Sequence, residues 1–197
     1  MFLWITRPDT HFRPGSTARV TLMKNEADIL IVGLGNPILG DDGIGWRVAE
    51  RVQQLLPTAQ VTCLSLGGLS LMEHLIGYES VVIIDSIQTR DGQLGDVYTF
   101  DLTELPDFSA GHTTAAHDTS LQTAIRLGRK MGAELPERIM VVAIETDRVY
   151  DFSEELSAPV AAAVPPAVHA VLNLLENNLT ATVHPGSASQ DRVRGVK

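Results

Sequence analysis

The chain is poor in cysteine and in positive charge, and no apolar run in its 197 residues approaches the roughly 20 needed to span a bilayer. Each shortage excludes something. A single cysteine, Cys63, rules out an intramolecular disulfide and a thiolate zinc cage; its apolar setting, VTCLSL, suggests a small buried side chain, with a catalytic thiol as the alternative. A formal charge of −9 and a pI near 5.0 leave no basic stripe to displace counterions from phosphates, so nucleic acid is not an expected partner. There is no apolar segment followed by a small-residue cleavage site, so a reduced, cytoplasmic compartment is the default expectation. Ser70 is not in a GxSxG elbow, and neither a P-loop nor a Cys–His pair is visible. Nucleophilic catalysis by a side chain has little support.

What the chain does have is the run Ile29 to Gly45, ILIVGLGNPILGDDGIG, in which a strand-like segment meets a glycine loop ending in adjacent aspartates. A phosphate cradle works through backbone N–H groups and a helix dipole, and Asp41 and Asp42 would repel its ligand. Gly33, Gly35 and Gly40 also give GxGxxxxG instead of the dinucleotide fingerprint GxGxxG. Carboxylates at this point suit a metal cation or a basic peptide.

Residues 1–27 mix Pro, Gly, Ser and Thr with arginines and read as a flexible or misassigned extension, and residues 180–197 read as a disordered tail. The length between them suits one α/β domain, residues 28–179. Runs rich in Val, Ile and Leu predict strands at 28–34, 60–66, 80–85, 95–100 and 138–145; helical periodicity predicts helices at 42–56, 69–76, 117–132 and 156–177. Such alternation implies an α/β three-layer sandwich: a mostly parallel twisted sheet flanked by helices. The strand at 95–100 follows Asp85 too closely for a long crossover and is expected to be antiparallel or at an edge. Pro165 and Pro166 should split the last helix into a short piece after a cap at Ser157 and a longer one ending near Asn177.

In an open α/β sheet ligands bind at the carboxyl ends of the strands. Asp41 and Asp42 follow the first strand, Asp85 ends VVIID, Glu145 lies near the end of VVAIET, and His112 and His117 lie in GHTTAAHDTS. Each has a plainer role open to it. Asp41 most simply caps the helix that follows it, and Asp42 complements that helix's dipole. Asp85, after consecutive β-branched residues, is expected to be partly buried and to require a partner. His112 and His117 lie five apart, which is not the one-face spacing of HExxH. Glu73, His74 and His169 read as ordinary helix positions. Together, two carboxylates and an imidazole suit a divalent ion with open coordination positions, such as zinc, nickel or iron.

The order of ILIVGLGNPILGDDGIG, VVIIDSIQTRDGQLGDVYTF, the histidine of TTAAHDTSL, and AIET followed by EELSAPVAAAVP resembles the maturation endopeptidases of nickel–iron hydrogenases, over roughly residues 28–177. The resemblance implies an α/β sandwich that removes the C-terminal extension of a hydrogenase large-subunit precursor after nickel insertion. The family's metal-contacting acid falls on Asp42, its strand-end aspartate on Asp85 and its loop histidine on His117, and these three are also the implied catalytic residues. Nickel would be carried by the precursor, with a zinc-like ion able to stand in for it in vitro. The protein partner would be that precursor, and the enzyme is expected to act as a monomer without membrane insertion. Glu145 is a secondary candidate for supporting the site or binding peptide.

Two features depart from the family pattern. Ser65 and Leu66 precede Gly67 and Gly68 where an aspartate is common, and Asp118, Thr119 and Ser120 make the segment after His117 more polar than expected. Both touch precursor specificity. The runner-up is a peptidyl-tRNA hydrolase-like esterase, since that family also begins IVGLGNP; it continues with a histidine–asparagine pair, which this chain lacks. A non-catalytic metal- or nucleotide-binding module is the third reading.

Overall fold

The structure, a computed structural model, describes residues 29–104, 120–147 and 152–177. Five strands form one sheet: β1 (Ile29–Leu34), β2 (Gln60–Leu64), β3 (Ser80–Ile87), β4 (Val97–Asp101) and β5 (Arg138–Glu145), in the spatial order β2-β1-β3-β5-β4. All pairings are parallel except β4 with β5, which is antiparallel and puts β4 at an edge. Both expectations for that segment are met.

The helices are α1 (Ile44–Leu55), α2 (Gly68–His74), α3 (Leu121–Lys130) and α4 (Ala158–Glu176). Strand side chains alternate between faces, so each central strand feeds two cores. Ile31, Val82, Ile84, Val142 and Ile144 pack with α1 and α4 through Val48, Val52, Ala167 and Val171. Leu30, Val32, Val81, Ile83 and Val141 pack with α2 and α3 through Leu71, Leu75, Ala124 and Ile125. Burial on both faces is why β1, β3 and β5 read as near-continuous apolar runs. The result is the expected three-layer α/β sandwich. Chain order reverses between β1 and β3, and the crevice there opens beyond their carboxyl ends.

One local expectation fails. Pro165 and Pro166 lie inside an unbroken α4. A proline removes the hydrogen bond to the carbonyl four residues back, here those of Ala161 and Ala162. Both alanines and both prolines are exposed, so water can serve the freed carbonyls, while the buried stripe of Val160, Ala163, Ala167, Val168, Val171 and Leu174 runs past the prolines on the other side. Tertiary packing holds the helix through them. By length and composition α4 is also apolar enough to cross a membrane, which reading the sequence for spans did not flag. Its buried stripe is part of the sheet's core.

Candidate functional site

Beyond β1 the backbone turns at Gly35, whose φ of +120° favours glycine and whose missing side chain leaves room for the carbonyl of Asp42. A short 3-10 turn, Gly40–Gly43, then leads into α1. Asp42 is fixed within this loop: the Asn36 amide donates to its Oδ2 at 2.7 Å, and the Ser86 hydroxyl approaches its Oδ1 at 3.4 Å. Ser86 belongs to β3, so the loop acid faces the neighbouring strand end.

Asp85 lies beside it on β3, its Oδ1 accepting the Ser86 amide at 2.8 Å. Burial pushes its carboxyl up to about 7; the Ser86 hydrogen bond opposes the shift and the charge of Asp42 adds to it. A carboxyl poised near neutrality, next to an anionic one, can exchange a proton in the physiological range or give it up to an arriving cation. Two carboxylates linked through Ser86 are oxygen donors of the kind a divalent cation takes.

The structure thus brings together Asp42 and Asp85 of the three residues singled out from sequence. His117 lies outside the described residues, as does His112. Among the described residues no group of three or more His, Cys, Asp or Glu side chains gathers to hold a metal.

Other candidates resolve into structural roles. Asp41 does not cap α1, whose N-cap is Gly43 without a side-chain bond. It is buried and accepts from Ser157 twice, from the amide at 2.6 Å and the hydroxyl at 2.7 Å, so it holds the start of α4 instead. Glu145 is 2% exposed; its Oε1 takes the Thr89 amide at 2.6 Å and its Oε2 the Thr89 hydroxyl at 2.9 Å. It clamps the β3–β4 loop, both of its oxygens taken by Thr89. Ser65 donates to the Gly35 carbonyl at 2.7 Å and ties the end of β2 to the glycine loop. Cys63 is half-buried, and burial with the Glu50 carboxylate pushes its thiol up, the reverse of an activated nucleophile. His74 bonds the Ser70 carbonyl and His169 pairs with Asn173, both at exposed helix positions as expected.

Sequence reading missed Ser86, which touches both carboxylates, and the partnership of Asp41 with Ser157. Serine after a strand-end aspartate carries no sequence signal of its own. The second pair was half visible, since Ser157 reads as a helix start and Asp41 as a residue in search of one.

Comparison with known proteins agrees with the fold. Residues 46–174 match the hydrogenase maturation protease family. The hydrogenase expression/formation protein HupD of Rhizobium leguminosarum bv. viciae is 26% identical over 165 residues, covering 82% of this chain and 81% of that protein. HupM of Azotobacter chroococcum is 28% identical over 169 residues, 83% of this chain and 79% of its own length. Among solved structures, the hydrogenase maturating endopeptidase HybD of E. coli superposes with a TM-score of 0.61 at 25% identity, covering 76% of this chain and 93% of that one. The nickel–iron hydrogenase maturation protease HybD of Thermococcus kodakarensis gives 0.54 at 27% identity, over 75% and 98%. The peptidyl-tRNA hydrolase reading and the non-catalytic module are not favoured.

Proposed function

The chain belongs to the hydrogenase maturation protease family, an endopeptidase that processes a hydrogenase precursor, and from that premise we propose how its substrate is recognised and which residues act. The substrate is the large-subunit precursor already loaded with nickel, and the product is the subunit without its C-terminal extension. Asp42, Asp85 and His117 contact the nickel that the precursor carries, so cleavage waits on metal insertion. The observation that supports this most directly is the joining of Asp42, in the loop after β1, to Asp85, near the end of β3, through Ser86, whose amide donates to Asp85 at 2.8 Å and whose hydroxyl approaches Asp42 at 3.4 Å.

That arrangement is unfavourable without a cation and is relieved by one. Asp85, whose carboxyl is raised to about 7 by burial first, would give its proton to solvent when nickel is bound, and the two carboxylates would then hold it as a pair. Nickel held there would supply Lewis-acid polarisation of the scissile carbonyl or of a water. Asp42 is held for its role by the Asn36 amide and Asp85 by the Ser86 amide, so neither must reorient when the precursor docks. His117 takes its place by the family resemblance, completing an open donor set.

Purified protein incubated with the large-subunit precursor, with and without nickel, followed by intact mass, tests the reading. Loss of a C-terminal peptide from the nickel-loaded form alone is expected. Asp42→Asn, Asp85→Asn and His117→Ala should each reduce that cleavage by at least about a hundredfold, with unchanged far-UV circular dichroism. Full activity in all three variants would remove the assignment of these residues.

A further inference from the structure

The segment after Phe152 is stapled to the loop that carries Asp42. Ser153 donates its amide to the Ile38 carbonyl at 3.0 Å and accepts the Gly40 amide at 2.7 Å, forming a bridge beside Leu39. Arg47, in the first turn of α1, reaches the Glu154 carbonyl with Nη2 at 2.9 Å. The bonds of Ser157 to both oxygens of Asp41 close the staple, joining residues 116 positions apart.

Asp41 immediately precedes Asp42 in a 3-10 turn, where successive side chains diverge by about 120°. One carboxylate is therefore directed to α4 and the next to Ser86 and Asp85. The turn is four residues long, Gly40–Gly43, so rotation at Asp41 is carried into Asp42. Asp41 is 7% exposed and has its hydrogen bonds from Ser157 in place of water. Loss of the hydroxyl partner leaves a buried carboxylate oxygen unsatisfied and gives the turn reason to move.

We propose that Asp41 and Ser157 are positioning residues for metal recognition, the start of α4 holding Asp42 at the angle at which it meets the precursor's nickel. This rests on the reading of Asp42 as a nickel contact. It predicts a defect in the nickel-dependent part of precursor binding, whereas a mere tether for α4 would alter stability alone.

The test compares wild type, Asp42→Asn, Asp41→Asn, Ser157→Ala, Ser157→Thr and, as a stability control in the core of α4, Val171→Ala. Affinity is measured for the precursor with and without nickel, and KM and kcat for cleavage, at a temperature where every variant is folded by near-UV circular dichroism. Asp41→Asn and Ser157→Ala should weaken nickel-loaded precursor binding and raise KM by about tenfold, leaving affinity for the nickel-free precursor unchanged. Ser157→Thr, which keeps the hydroxyl, should restore wild-type values, and Val171→Ala should lower Tm without moving either. Wild-type affinity and KM in both Asp41→Asn and Ser157→Ala, alongside an inactive Asp42→Asn, would overturn the proposal and leave the nickel reading standing. Full cleavage by Asp42→Asn would instead overturn the nickel reading itself.

Discussion

Asp85 holds a tension between stability and function. Its carboxyl, pushed up to about 7 by burial first and by Asp42 second, binds its proton more tightly in the fold than in the unfolded chain, where an aspartate titrates near 3.9. Between those values the native state keeps a proton that the unfolded state has lost. The stability tied to this group is therefore full below about pH 4 and is lost as pH rises through about 7. Asp85→Asn keeps an oxygen for the Ser86 amide and abolishes the titration. It should raise Tm by several degrees at pH 8, and the gain should vanish near pH 4, while processing is lost. Thermal melts of the metal-free protein across pH 4–8 check this, and a Tm difference that is flat with pH would refute it. That Asp85 is chemically special was legible from sequence, because a carboxylate following consecutive apolar strand residues must be partly buried. The role of Ser86 was not, since it depends on how the glycine loop folds over the end of β3.

At the scale of elements, the local rules that failed were overruled by partners distant in sequence. Asp41 was expected to cap the helix beside it, which is the nearest set of free N–H groups; its actual partner begins α4. The proline pair was expected to break a helix that the core stripe keeps whole. Glu145 follows the same logic, since a buried acid at a strand end looks like a site until Thr89 is seen to occupy both its oxygens. The clamp is tight: a Cβ at Gly92 would run into the Glu145 carboxylate and the Thr89 hydroxyl. Neighbouring Tyr98, on β4, is pushed up to about 12 by burial and by the Glu145 and Asp96 carboxylates. Gly92→Ala should destabilise the protein by about 1–3 kcal/mol. Glu145→Ala should cost a similar amount by leaving the Thr89 groups without acceptors. In the double variant the costs should fall short of additive, because the alanine at 145 removes what the Cβ at 92 strikes. Denaturant titrations of the four proteins measure the coupling, and strict additivity would show that the two residues do not share a clamp.

For the whole molecule, the fold was legible because its sheet is mostly parallel and covered on both faces, so the central strands appear as apolar runs separated by amphipathic helices. Once that topology is accepted, the carboxyl ends of β1 and β3 become neighbours without any further information, and Asp42 and Asp85 come together. For the third member the sequence offers both His112 and His117, and the resemblance selects His117; both lie outside the described residues. On the proposed reading the cation arrives on a precursor that supplies the ligands Asp42, Asp85 and His117 do not, so the free enzyme need hold no metal of its own. The free enzyme treated with a chelator and then desalted should therefore cleave nickel-loaded precursor at the untreated rate. Nickel-free precursor should remain intact even when zinc is added to the enzyme. Intact mass after each incubation distinguishes the cases: activity lost on chelation and restored by zinc would mean that the enzyme owns its metal, and the nickel in the precursor would then not be what Asp42 and Asp85 recognise.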